Sequence, residues 1–429
     1  MAQAYAAEHM DQTAVFELTF RKMPASRNYI VAAGIADVLE FLSTFRFDEE
    51  DLEYLRRRDE FSEPFLHQLK ELRFTGDVFA LPEGTLVFPN EPIVQVIAPL
   101  IEAQLIETYV LNQIHFQSLA VAKAGRIVEA ARGRSVVDFG SRRAHGTDAA
   151  LKVARATYLA GGAGTSNVLA GQIYGIPVFG TMAHSYVQAH DRESTSFEAF
   201  ANLYPETTLL VDTYNTLDGV RKVIELRRKI GDRFRVKAIR LDSGDLGSLA
   251  FQARKMLDEA GLRDVTIFAS SSLDEYEIQR LANSGAPIDV FGVGTKLAII
   301  DDASHLDMAY KLVEYAGKGR MKLSTSKLLY PGRKQVFRQV ENGCMMRDII
   351  GRFDDELAGT SLLQAVMRAG CAIAPVNLNE SRERFRHELS RLPNALREIA
   401  PSQMSYSVTF SKRLEKDLES ARAEIACCN

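Results

Sequence analysis

A run of small residues, Gly180-Thr181-Met182-Ala183, delivers His184 directly after a short apolar stretch, Ile176-Pro177-Val178-Phe179. Taken alone, a histidine at a strand end is more often a hydrogen-bonded structural group than a catalyst. Its company decides. Polar runs recur after other apolar stretches: Asp138-Phe139-Gly140-Ser141-Arg142-Arg143, Gly164-Thr165-Ser166-Asn167, Asp212-Thr213-Tyr214, Arg240-Leu241-Asp242-Ser243-Gly244-Asp245, Ser270-Ser271-Ser272 and Gly292-Val293-Gly294-Thr295. Singly, each has an ordinary reading: Thr165 or Ser166 caps a helix, Gly292 and Gly294 permit a turn, and Asp242 with Ser243 closes an Asx turn. Together they exceed what turns require. Gly/Ser-rich turns leading into helices present backbone N–H groups to phosphate, and Arg142, Arg143 and Arg240 add bidentate donors. Aspartates among phosphates hold Mg²⁺ or sugar hydroxyls. Phe139 either offers a ring face to a flat heterocycle or packs in the core. The implied ligand is a multiply phosphorylated sugar together with a planar base.

The elements that must position these residues follow an α/β rhythm from Arg134 onward. Strands are expected at 135–139, near Gly164, and at 176–181, 208–212, 236–242, 265–270 and 288–292. Gly161, Gly231, Gly261 and Gly285 fall where helices should stop, and Thr147, Ser166 and Ser248 are candidate N-caps. About seven βα units, with no G-x-G-x-x-G after the first strand, favour an incomplete or irregular (β/α) barrel, with a doubly wound sheet as the alternative. The functional rim of such a barrel is the carboxyl end of its strands.

On either side the texture differs. Residues 14–20 alternate as a half-buried strand before the basic loop Arg21-Lys22-Met23-Pro24. Prolines and glycines then break 76–99 into short strands, and a long helix is expected over 101–131. Further strands at 335–349 and 371–375 are expected to return to this part. The domains read as a discontinuous β-rich α+β domain, 1–133 with 335–429, and a barrel-like domain, 134–334.

Composition narrows the class. The 429 residues are 46% apolar and 25% charged, and 52 Lys and Arg against 56 Asp and Glu give a net charge of -4, without the basic excess that binds nucleic acid or anionic membrane. The N-terminus lacks a basic region followed by an apolar one, and no stretch has the ~18 apolar residues of a spanning helix. A cytoplasmic protein is expected. Cys344, Cys371, Cys427 and Cys428 show no C-x-x-C spacing and read as reduced.

The strings Val137 through Gly146, Gly164-Thr165-Ser166-Asn167-Val168-Leu169-Ala170-Gly171, Gly175 through Ser185, Arg240 through Asp245, and Gly292-Val293-Gly294-Thr295-Lys296-Leu297, in that order, resemble those of nicotinate phosphoribosyltransferases, in the type II phosphoribosyltransferase group. The resemblance runs over most of the chain. It implies transfer of phosphoribose from 5-phosphoribosyl 1-pyrophosphate to nicotinate, giving nicotinate mononucleotide and pyrophosphate in NAD salvage. It also implies Mg²⁺, ATP hydrolysis coupled through a phosphohistidine, and a homodimer whose active sites join the barrel of one subunit to the N-terminal domain of the other.

By the same resemblance His184 is the phosphorylated residue and Phe139 stacks on the pyridine. Arg142, beside Arg143, and Arg240 contact phosphates, and Asp242 serves ribose hydroxyls or Mg²⁺. Ser271, Gly292 and Gly294 lie near the 5-phosphate, with Thr295 in the same turn. Thr165 and Ser166 are on the substrate side, and Asp212 is a candidate to orient His184. Related nicotinamide enzymes carry an aspartate in place of Ser166, which accepts from an amide and repels a carboxylate, so serine favours nicotinate over nicotinamide. Relatives also carry a Thr-Asp-Leu-Tyr-like segment before the part similar to Met1–Tyr5, its tyrosine facing the base from the neighbouring subunit. The expectation is a start upstream of Met1; the alternative is a catalytically weak phosphosugar-binding homologue.

Overall fold

A computed structural model describes residues 1–323 and 329–428. The chain divides into two compact units, Met1–Leu119 with His305–Asn429, and Ala120–Ser304.

The first unit is built on a seven-stranded antiparallel sheet. Within it Thr13–Phe20 pairs with Met308–Tyr315 on one side and with the central strand, Val94–Pro99, on the other. Alternation in residues 14–20 predicts this strand, but the pairing with Met308–Tyr315 means that the chain has already left the barrel-like part well before residue 334. Residues 324–328, within the expected 134–334 span, lie outside the described residues. Lys334–Glu341 and Cys344–Arg352 are strands as expected, yet they form a separate four-stranded sheet with Thr360–Ser361 and Ser407–Phe410. Cys371–Ala372 does join the large sheet. Glu17 and Lys334 form a buried ion pair at 2.7 Å, and Gln95 donates to the same carboxylate at 2.7 Å. Breaking such a pair by removing one partner costs about 3–5 kcal/mol. The helix expected over 101–131 is two, Leu100–Leu105 and Glu107–Ala130.

The second unit is a six-stranded parallel sheet in the order Gly164–Thr165, Ser135–Asp138, Val290–Val293, Thr266–Ser270, Ala238–Leu241, Thr208–Leu210. The last strand pairs with the first and the others follow in sequence, which is barrel winding left open at one place. The seventh expected strand, 176–181, is the exception. It contributes a single parallel bridge, Val178 to Thr165, closed by Phe179 N–H to Thr165 O at 2.9 Å and Thr165 N–H to Pro177 O at 3.1 Å. Pro177 has no N–H and its partner strand is two residues long, so no ladder extends.

Gly161, Gly231, Gly261 and Gly285 all have positive φ at helix ends, a conformation that glycine adopts without strain because it has no Cβ. The caps at the other ends shift from those expected. Asn167 rather than Ser166 caps Val168–Tyr174, Asp245 caps Leu246–Glu259 by accepting from Ser248 N–H, and Thr147 is the first helical residue after Gly146. Among the described residues no helix is long and apolar enough to cross a membrane. Cys344, Cys371 and Cys427 are free thiols; the Cys428 side chain lies outside the description.

Candidate active site

The polar runs read from the sequence lie at or just after the carboxyl ends of strands in the second unit. His184 opens the short helix His184–Gln188, with its side chain 41% exposed. Its Nδ1 lies 3.1 Å from Thr213 Oγ1 and its Nε2 lies 3.5 Å from Asp242 Oδ2. No hydrogen bond joins it to Asp212 among the described residues. The Asp212 Oδ2 instead accepts from Asp242 N–H at 2.9 Å and Ser243 Oγ at 2.5 Å, while its buried Oδ1 has no hydrogen-bond partner. Asp212 therefore shapes the 242–243 turn, and Thr213 takes the contact expected of it.

Arg240 ties the end of its own strand to that of Thr266–Ser270 and to the loop that leads into His184. Its Nε donates to Ser270 Oγ at 2.8 Å, one terminal nitrogen to Thr181 Oγ1 at 2.8 Å, and the other to Asp242 Oδ1 at 2.9 Å. Ser270 Oγ donates to Asp242 Oδ1 at 2.5 Å. Burial works to raise the Asp242 carboxyl, but the Ser270 hydroxyl, Arg240 and His184 outweigh it and leave its pKa below the ordinary value. Asp242 is thus a carboxylate with one oxygen, Oδ2, facing His184.

Arg240 also stands 5.3 Å above the centre of the Phe139 ring, which is tilted against Phe268 at 5.5 Å. Gly292 lets these rings sit where they do: a Cβ there would come 2.8 Å from Phe268 and 3.0 Å from Phe139. Gly294 passes close to the Phe139 carbonyl and precedes exposed Thr295, the first residue of Thr295–Ile299. Ser271 and Ser272 follow Thr266–Ser270 with φ of 100° and 49°, turning exposed backbone outward.

Arg142 and Arg143 share one 3₁₀ turn, both exposed and neither in an ion pair or hydrogen bond among the described residues. Thr165, read from the sequence as a substrate-side residue, is fully buried, donating to Asp138 Oδ2 at 2.7 Å and accepting from Asn167 N–H at 3.0 Å, so its hydroxyl supports the strand end. Asp138 is likewise internal, and burial pushes its carboxyl up despite the bonds from Thr165 and Gly140 N–H. Ser166 is exposed beside them; with Asn167 as the cap, its hydroxyl has no structural bond to make among the described residues. Thr181, Thr213 and Ser270 stand inside the strings read from the sequence, where small hydroxyl residues give no sign of which neighbour they will meet.

Residues 1–115 match the family model for the nicotinate phosphoribosyltransferase N-terminal domain, and 134–323 match that of the nicotinate phosphoribosyltransferase family. A nicotinate phosphoribosyltransferase of Mycobacterium tuberculosis is 59% identical over 425 residues, covering 98% of this chain and 92% of that one. The chain belongs to the nicotinate phosphoribosyltransferase family. The family member of Bacillus subtilis is 44% identical, covering 83% of this chain and 75% of its own length. The crystal structure of human nicotinic acid phosphoribosyltransferase superposes with a TM-score of 0.88 at 29% identity, covering 98% of each chain. Nicotinate-nucleotide pyrophosphorylase from Pyrococcus furiosus shares the fold, with a TM-score of 0.74 at 24% identity.

Proposed function

We propose that this member of the nicotinate phosphoribosyltransferase family transfers phosphoribose from 5-phosphoribosyl 1-pyrophosphate to nicotinate in the cytoplasm, as a homodimer, with ATP hydrolysis coupled through a phosphoryl group on His184. The observation that carries the reading is a part-buried imidazole between Thr213 and the Asp242 carboxylate, on a rim with two arginines, Arg142 and Arg143, that are unpaired among the described residues.

In the glycosyl step the sugar C1–O bond to pyrophosphate breaks as a bond to the pyridine nitrogen forms. Positive charge develops on the sugar and negative charge on the leaving group, so positioning and electrostatics do the work and no protein nucleophile is needed. Arg142 and Arg143 supply cations for the pyrophosphate, and Phe139 a ring for the base. In the coupled step a lone pair of neutral His184 forms an N–P bond as the Pγ–O bond to ADP breaks, and water later cleaves the N–P bond.

Mg²⁺ held through substrate phosphates needs only one or two protein carboxylates. Among the described residues no three His, Cys, Asp or Glu side chains form a cage, but Asp242 Oδ2 and the unbonded Asp212 Oδ1 fit the smaller requirement. Bound there, Mg²⁺ would offset charge on pyrophosphate. The uncommitted Ser166 hydroxyl favours an acid base over an amide.

The test is product formation from 5-phosphoribosyl 1-pyrophosphate with nicotinate or nicotinamide, each with and without ATP. Nicotinate mononucleotide stimulated by ATP is expected; equal turnover of nicotinamide overturns the substrate assignment.

A further inference from the structure

We infer that Thr213 is the positioning residue for His184, a role that rests on the reading of His184 as the phosphoryl acceptor. Its hydroxyl is the group within hydrogen-bond distance of Nδ1, at 3.1 Å, whereas Asp242 at 3.5 Å from Nε2 contributes charge more than a bond. An imidazole 41% exposed is otherwise free to turn about its Cβ–Cγ bond, and a ring that turns presents its nucleophilic lone pair in the wrong direction.

Two features single out the hydroxyl. The neighbouring carboxylate, Asp212, spends Oδ2 on Asp242 N–H and Ser243 Oγ, and among the described residues its buried Oδ1 makes no hydrogen bond to the ring. A hydroxyl both donates and accepts, so it holds Nδ1 in either neutral tautomer, and it brings no negative charge to a ring that must receive an anionic phosphoryl group. Thr213 therefore orients without repelling.

The full chain with Thr213→Val keeps the β-branched shape and loses the hydroxyl; Thr213→Ser keeps the hydroxyl. The probe is γ-³²P ATP. Thr213→Val is expected to slow label incorporation and ATP-stimulated kcat roughly tenfold, the scale of one hydrogen bond, with KM for nicotinate within about twofold, while Thr213→Ser stays within about threefold of the parent. The ¹⁵N resonances of His184 at one fixed pH, assigned by their loss in His184→Ala, are expected to move in Thr213→Val and not in Thr213→Ser. Parent-like labelling in Thr213→Val, or an equal loss in Thr213→Ser, overturns the inference. If the parent itself takes up no label, the phosphohistidine reading falls. The His184 resonances then decide, and an unchanged pattern in Thr213→Val overturns the assignment of Thr213.

Discussion

Arg240 donates to Thr181 Oγ1 at 2.8 Å, so the loop that ends in His184 is tied to a strand whose own carboxylate, Asp242, faces that histidine. One guanidinium thereby fixes both sides of the site. Lysine has a single nitrogen and cannot reach Ser270, Thr181 and Asp242 in one plane. We predict that Arg240→Lys lowers kcat by about a hundredfold through misplacement of His184 and Asp242. Steady-state kinetics with circular dichroism as a folding control check this, and a loss under threefold would sink the anchoring role.

Phe139 and Gly292 are predicted to act on base binding in one direction. Phe139→Ala removes the ring and should raise KM for nicotinate about tenfold, near the worth of an aromatic contact. Gly292→Ala inserts a methyl carbon 2.8 Å from Phe268 and should tilt both rings, raising the same KM and lowering stability by about 1–3 kcal/mol. An unchanged KM in both variants would place the base elsewhere.

Ser166→Asp sets a carboxylate where the wild-type hydroxyl is exposed and unbonded. We predict that KM for nicotinate rises about tenfold while nicotinamide turnover increases, since the new charge repels an acid and accepts from an amide. Side-by-side kinetics on the two bases check it, and a parallel change in both would remove Ser166 from the specificity argument.

A fourth prediction concerns stability. Glu91 is fully buried, its Oε1 meets no donor, and burial first and the Asp348 carboxylate second hold its pKa well above the ordinary value of 4.5. A proton on Glu91 lets it donate to the Asp348 carboxylate, while Oε2 already accepts from Phe88 N–H. A carboxyl raised in the folded state binds its proton more tightly there than when unfolded, so its contribution to stability falls as pH rises above the unfolded value toward the folded one. Glu91→Gln keeps the acceptor and supplies a permanent donor. Its gain over the parent should be small near pH 4.5 and grow to about 1 kcal/mol or more at pH 7–8, read from urea midpoints. A gain independent of pH would show that Glu91 is ionised in the fold.

The sequence announces what is local and leaves open what is relational. The helix stops at Gly161, Gly231, Gly261 and Gly285 are legible because each needs a left-handed residue at one position. The strand ends of the rim are legible because apolar runs end in polar ones. Thr213 is not, because Asp212 and Thr213 are adjacent and only the turn of the strand end decides which of them meets His184. Asn167 displaces Ser166 as the cap by reaching Ala170 N–H, a choice between two good caps that composition does not make. The pairing of Thr13–Phe20 with Met308–Tyr315 joins segments far apart in the chain through hydrogen bonds that no periodicity records.

The most direct measurement is the amount of ADP released per nicotinate mononucleotide formed, in the parent and in His184→Ala. ATP coupling through His184 predicts close to one ADP per product in the parent, with His184→Ala making product slowly and releasing no ADP above background. ADP release that stays coupled to product in His184→Ala would contradict it.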